Sequence, residues 1–114
     1  MGLQVAVRQS GDVQIVDLQG RVTIGKGNDV LSTTLRTAME GGCKKLLVNL
    51  TGVDQVDSSG ISTMVRAFVT LSRSGGAMKL MGATGRVHDV LEVTRLLNSI
   101  PNFGTEADAL QSFR

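Results

Sequence analysis

The run Lys45-Leu46-Leu47-Val48-Asn49-Leu50 constrains this chain more than any other stretch. Leu46, Leu47 and Val48 are apolar in series, so a strand there turns hydrophobic side chains to both of its faces. Strands of that kind lie inside a sheet layered between helices, and they run parallel to their neighbours. The flanking segments have the helical period this requires. Upstream, Val30, Leu31, Thr34, Leu35, Ala38 and Met39 fall on one face, with Ser32, Thr33, Arg36, Thr37 and Glu40 opposite. Asn28, after the loop Gly25-Lys26-Gly27, is the expected N-cap of that helix, and Gly41-Gly42 ends it. Downstream, Ile61, Met64, Val65, Phe68 and Leu71 form a second inward stripe, with Thr63, Arg66, Thr70 and Arg73 on the polar side.

The rest of the chain supplies the remaining layers. Leu3, Val5 and Val7 alternate with Gln4, Ala6 and Arg8, and Ser10-Gly11-Asp12 separates them from a second β-rich run over 13–18. That pattern predicts a hairpin. Residues 51–56 read as a connection out of the central strand. A fourth strand is predicted over 78–81, and a third helix follows, capped by Thr84, with Val87, Val90, Leu91 and Thr94 inward. The segment around Phe103 suits a short edge strand. Thr105-Glu106-Ala107-Asp108 has the form of a capping box before a last helix over about 106–113. The order β-β-α-β-α-β-α-β-α predicts one α/β domain over residues 1–114. It has an opening β-hairpin, a mixed, mostly parallel sheet of about five strands, and about four helices.

Composition removes several functions. The net charge is +2, the lysines and arginines are spread along the chain, and Phe68, Phe103 and Phe113 are the only aromatics. Nothing is available to stack bases along a basic groove, so no nucleic-acid partner is expected. Cys43 is the sole cysteine and His88 the sole histidine. An intramolecular disulfide is excluded, and neither a structural metal nor a cofactor is expected. Purely apolar runs do not exceed three residues, and no basic-then-apolar leader precedes the first strand. No membrane partner is expected, and the expected location is the cytoplasm.

Three sites for chemistry can be written down and set aside. Gly20-x-x-x-x-Gly25-Lys26 approaches a phosphate-binding loop, but Gly27 stands where Ser or Thr must hold Mg²⁺, and the preceding run reads as a hairpin strand. Ser58, His88 and Asp89 could be drawn as a triad, yet Asp89 adjoins His88 in sequence and no Gly-x-Ser-x-Gly elbow surrounds the serine. Cys43 beside Lys44 and Lys45 reads as a small residue entering a strand rather than a reactive thiol. Asp57-Ser58-Ser59-Gly60 remains, where the strand region gives way to the second helix. Backbone N–H groups at a helix start lack intrahelical partners, so oxygen-bearing side chains cap them and a phosphate is accommodated. Read from the residues alone, this is a strand-to-helix turn with capping residues.

In their order and spacing, four stretches resemble the STAS domain of bacterial anti-sigma-factor antagonists over nearly the whole chain. They are Leu18-Gln19-Gly20-Arg21-Val22, Lys45 to Leu50, Val53-Asp54-Gln55-Val56-Asp57-Ser58-Ser59-Gly60-Ile61 and Gly75-Gly76-Ala77-Met78-Lys79-Leu80. The resemblance implies a non-enzymatic protein-binding module. Its unphosphorylated form would bind an anti-sigma factor that is also a serine kinase of the GHKL ATPase type, releasing sigma factor. Phosphorylation would end that binding, and a serine phosphatase would restore it. The implied acceptor is Ser58, with Ser59 second. Asp57, Ser58, Ser59, Gly60, Thr23, Thr63 and Arg66 are the implied switch and docking residues, and Gly60 would leave room for a partner backbone. Arg21 and Thr23 depart from the family's acidic residues in the hairpin-to-helix loop. A STAS scaffold in a stress-sensing complex is therefore a second reading, and a small nucleotide-binding or hydrolytic enzyme a third. Monomer and weak dimer are both compatible with the sequence.

Overall fold

The structure, a computed structural model, describes residues 2–114. The alternating run at the start forms β1 (Leu3–Ser10), which turns at Gly11-Asp12 into β2 (Val13–Val22). Then come α1 (Lys26–Glu40), β3 (Lys45–Val56), α2 (Ser58–Arg73), β4 (Ala77–Met81) and α3 (Gly85–Val93). A 3₁₀ turn over Leu96–Asn98, β5 (Asn102–Phe103) and α4 (Glu106–Ser112) complete the chain. The five strands lie side by side in sequence order, β1-β2-β3-β4-β5. β1 is antiparallel to β2, and every other pair is parallel. This is the predicted α/β domain with its opening hairpin and four helices.

Period explains the layers. In β3, Leu46, Val48 and Leu50 point to the main core with Val16 and Leu18 of β2, and helices α1, α2 and α3 add Leu31, Leu35, Met64, Leu71, Val87 and Leu91. Leu47 points the other way, into a smaller cluster with Val13, Ile15, Met81 and Ala109 of α4. The central strand is thus covered on both faces, as its apolar series requires.

The structure corrects several boundaries. Residues 51–56, read as a connection, continue β3 to twelve residues in all. β4 leaves its partner at the pair Asn49↔Met81, so beyond that point β3 keeps only β2 as a neighbour, through register shifts near Gln19 and Arg21. A strand flanked on one side exposes Thr51, Gly52, Asp54 and Gln55, and polar residues there imitate a loop. Helix α1 begins at Lys26, with Gly25 rather than Asn28 at its N-cap and no side-chain cap. The reading of β2 as only a hairpin strand also needs correction, since it is the parallel partner of β3 as well. Gly27 is buried, and a Cβ there would lie 2.5 Å from the Arg21 carbonyl oxygen. Val30, expected inward, is exposed. Thr94, expected on the inward stripe of α3, is exposed as well and returns its hydroxyl to the carbonyls of Val90 and Leu91.

Candidate functional site

The strand-to-helix junction is organised by one carboxylate. Asp57 leaves β3 in extended conformation (φ −105°, ψ −175°) and caps α2. Its Oδ1 accepts from the backbone N–H of Ser59 at 3.0 Å and of Gly60 at 3.2 Å, and from the Ser59 hydroxyl at 2.5 Å. Its Oδ2 accepts from the N–H of Ile24, 33 residues earlier, at 2.8 Å. The Asp57 N–H in turn donates to the Val22 carbonyl at 3.1 Å. The loop after β2 and the start of α2 are therefore fastened together by a single side chain.

The two serines differ. Ser59 is half-buried and its hydroxyl is committed to Asp57. Ser58 is exposed on the first turn of α2, and its hydroxyl makes no hydrogen bond among the described residues. Thr23 is half-buried in the same loop, where its carbonyl accepts from the Asn28 N–H at 2.9 Å.

Two expected docking residues turn inward instead. Gly60 is buried, and the space a partner backbone would need is filled from within. A Cβ at this position would lie 2.6 Å from Val22 Cγ1, 2.8 Å from the Val22 carbonyl oxygen and 3.2 Å from Val56 Cγ1. Gly60 lets α2 settle onto β2 and β3. Thr63, placed by periodicity on the polar face, is 4% exposed. Its hydroxyl donates to Asn28 Oδ1 at 2.6 Å, with the Ser59 carbonyl at 3.0 Å as a second acceptor. A threonine 35 residues from its partner gives no local signal of burial, so sequence periodicity misplaced it. Arg66 stays exposed and donates weakly to the Thr63 hydroxyl at 3.4 Å. Ile24 was not singled out from sequence. It is the most exposed large apolar side chain among the described residues, at 83%, and it sits directly on the Asp57 clamp.

The competing sites lose ground in three dimensions. His88 Nδ1 faces Glu92 Oε2 at 3.5 Å across one turn of α3, and no hydrogen bond links it to Ser58 among the described residues. His88, Asp89 and Glu92 bring their ligand atoms within 4.8 Å of one another, all on one turn of that helix. Burial pushes the Cys43 thiol above its usual pKa, opposite to what a reactive thiolate needs, and its Sγ donates to the Lys45 carbonyl at 3.3 Å. Among the described residues, no helix is long and apolar enough to cross a membrane.

The Asp57 carboxyl is held below its ordinary pKa, chiefly by the Ser59 hydroxyl and further by the N–H groups of Ile24, Gly60 and Ser59. A carboxyl depressed in the folded state contributes stability above its unfolded pKa, and that contribution is lost as pH falls through the folded value. Asp57→Asn should therefore lower stability at neutral pH and flatten the acid limb. Urea titrations between about pH 6 and pH 3, spanning the usual carboxylate range, read this as a wild-type advantage that shrinks on acidification. A constant difference across the series would show that the charge is not what holds the cap.

Comparison with known proteins places the chain in a family. The family model for the STAS domain matches residues 4–109. An anti-sigma F factor antagonist of Paenibacillus polymyxa is 24% identical over 110 residues, covering 96% of this chain and 94% of that protein. The crystal structure of an anti-sigma factor antagonist from Mycobacterium paratuberculosis superposes with a TM-score of 0.90 at 17% identity, over 98% of this chain and 94% of the other. The Bacillus cell fate determinant SpoIIAA in its phosphorylated form gives 0.75 at 17% identity, over 97% and 100%. With its five strands, four helices and opening hairpin in the same arrangement, this chain belongs to the STAS domain family.

Proposed function

We propose that the protein is an anti-sigma-factor antagonist whose binding is switched by phosphorylation of Ser58. The observation that carries the reading is the asymmetry of the two hydroxyls: Asp57 holds Ser59, while Ser58 is exposed with its hydroxyl unbonded. Membership of the STAS family and the name of the Paenibacillus relative support the antagonist role. In this reading the unphosphorylated junction, with Ile24 and Arg66 beside it, docks on an anti-sigma factor of the GHKL kinase type. That kinase then transfers the γ-phosphoryl group of ATP to the Ser58 hydroxyl, and a serine phosphatase reverses the modification.

The experiment is incubation with radiolabelled ATP, with and without the cognate kinase, using wild type, Ser58→Ala and Ser59→Ala. Label should appear only with kinase, survive Ser59→Ala and vanish in Ser58→Ala. Label retained by Ser58→Ala would remove the assignment. Nucleotide turnover by the protein unaided would favour an enzyme instead.

A further inference from the structure

The first strand is an open edge of the sheet. β1 pairs with β2 along all eight residues without a bulge, and its other side has no strand neighbour among the described residues. Native edges are ordinarily blunted by proline, by bulges or by charged side chains. β1 contains no proline or glycine, and its one charge, Arg8, is drawn back over the sheet to Asp17 and Glu106. Val7 on this edge is 50% exposed, beside a shallow groove lined by Thr33, Thr34 and Thr37 of α1.

Hairpin geometry states which backbone groups are free. The two-residue turn Gly11-Asp12, with Gly11 at φ 60°, is closed by the pair Ser10↔Val13. In a hairpin of this kind the closing pair exchanges both backbone hydrogen bonds, and bonded pairs then alternate along the ladder. Arg8, Ala6 and Gln4 thus bond to β2, whereas Leu3, Val5, Val7 and Gln9 direct their N–H and C=O groups outward. An added antiparallel strand must bond through those four odd-numbered residues.

We propose that the occupant of this edge is β1 of a second copy, related by a two-fold axis through Ala6. In that register Val5 bonds to Val7 of the other copy and Leu3 to Gln9. Ala6 faces Ala6 in a close non-hydrogen-bonded pair, and Gln4 faces Arg8. Valine meets valine on the helix-covered face, the smallest side chain sits at the tightest point, and the two Arg8 guanidiniums stay apart. The axis through Val7 pairs Val5 with Gln9 and leaves Leu3 opposite the turn glycine, and the axis through Val5 pairs Leu3 with Val7 but leaves Gln9 without a partner in β1. Of the three axes, the one through Ala6 alone bonds all four outward-facing residues of β1, in the reciprocal pairing an isologous interface requires.

Sedimentation of the full chain from about 10 μM to about 1 mM, a range that reaches weak association, tests this. The weight-average mass should climb from 12.0 kDa toward twice that value. Val7→Lys and Val7→Pro should hold it at the monomer value with folding, followed by circular dichroism, retained; proline is tolerated where an edge N–H faces solvent. In a Cys43→Ser background, oxidised Ala6→Cys should form a linked dimer, since Cα atoms of a close antiparallel pair lie about 4.5 Å apart. Gln4→Cys, about four residues off register from its own copy, should not. A mass that stays at 12.0 kDa, a dimer that survives both Val7 variants, or equal cross-linking through Gln4→Cys would each overturn the proposal.

Discussion

Ser58→Asp should fold and melt like wild type while losing its partner, with affinity reduced on the order of a thousandfold. The two halves of this result have different causes. A phosphoserine adds about −1.5 to −2 charges. At an exposed first helical turn the dipole favours negative charge by about 0.3–1 kcal/mol, and the nearby Asp57 carboxylate offsets part of that gain. The monomer is left nearly indifferent, because Ser58 is exposed and its hydroxyl holds nothing in place. A partner closing over the junction meets a much greater penalty. It would bury a charge in the interface, and a buried charge left uncompensated costs several kcal/mol. Isothermal titration against the kinase that labels Ser58, with circular dichroism melts alongside, measures both halves. Normal affinity in a folded Ser58→Asp protein would end the switch model.

Gly60→Val, only two residues away, should show the opposite division. Here the loss is in folding. The first added carbon already falls inside the Val22 side chain and its carbonyl oxygen, and backbone cannot move aside as a flexible side chain can. Overpacking of a tight core typically costs about 1–3 kcal/mol, and a β-branched residue adds two further carbons to the clash. The modest helix-propensity gain over glycine, of less than about 1 kcal/mol, does not offset it. We expect a loss of about 3 kcal/mol, read as a lowered urea midpoint at unchanged slope. A Gly60→Val protein as stable as wild type that fails only in binding would return Gly60 to the docking surface. The pair of substitutions thus separates what the junction does for the fold from what it offers a partner.

The sequence announced the architecture because its strands and helices are each committed to a face. Leu46, Leu47 and Val48 have no acceptable home except between two layers, and the stripe from Leu31 to Ala38 turns one side of α1 inward. The second half of β3 stayed hidden because one neighbour is missing there, so its composition is that of a surface. Gly25 and Gly27 concealed the start of α1, since the packing of Gly27 against the Arg21 carbonyl decides that glycine and no local pattern reports it. At the junction the cap was legible, because Asp, Ser and Gly at a helix start act through backbone groups two or three residues away. The reach of Asp57 to Ile24 and of Thr63 to Asn28 was not. Those contacts join residues 33 and 35 apart, and they exist only once β2 and β3 lie side by side.

The twelve-residue length of β3 has a mechanical consequence. Its first half is clamped by strands on both sides, whereas the arm beyond Asn49 keeps β2 alone as its direct neighbour, with β1 behind β2 as far as Gly20. Asp57 and Ser58 stand at the end of that arm, whose Val22, Val53 and Val56 are buried in the main core. The β2–β3 ladder changes register twice along the arm, between Asp17 and Gln19 and again between Gly20 and Arg21. Whatever presses on the junction is met by the core through Val22, Val53 and Val56 as well as by the ladder itself.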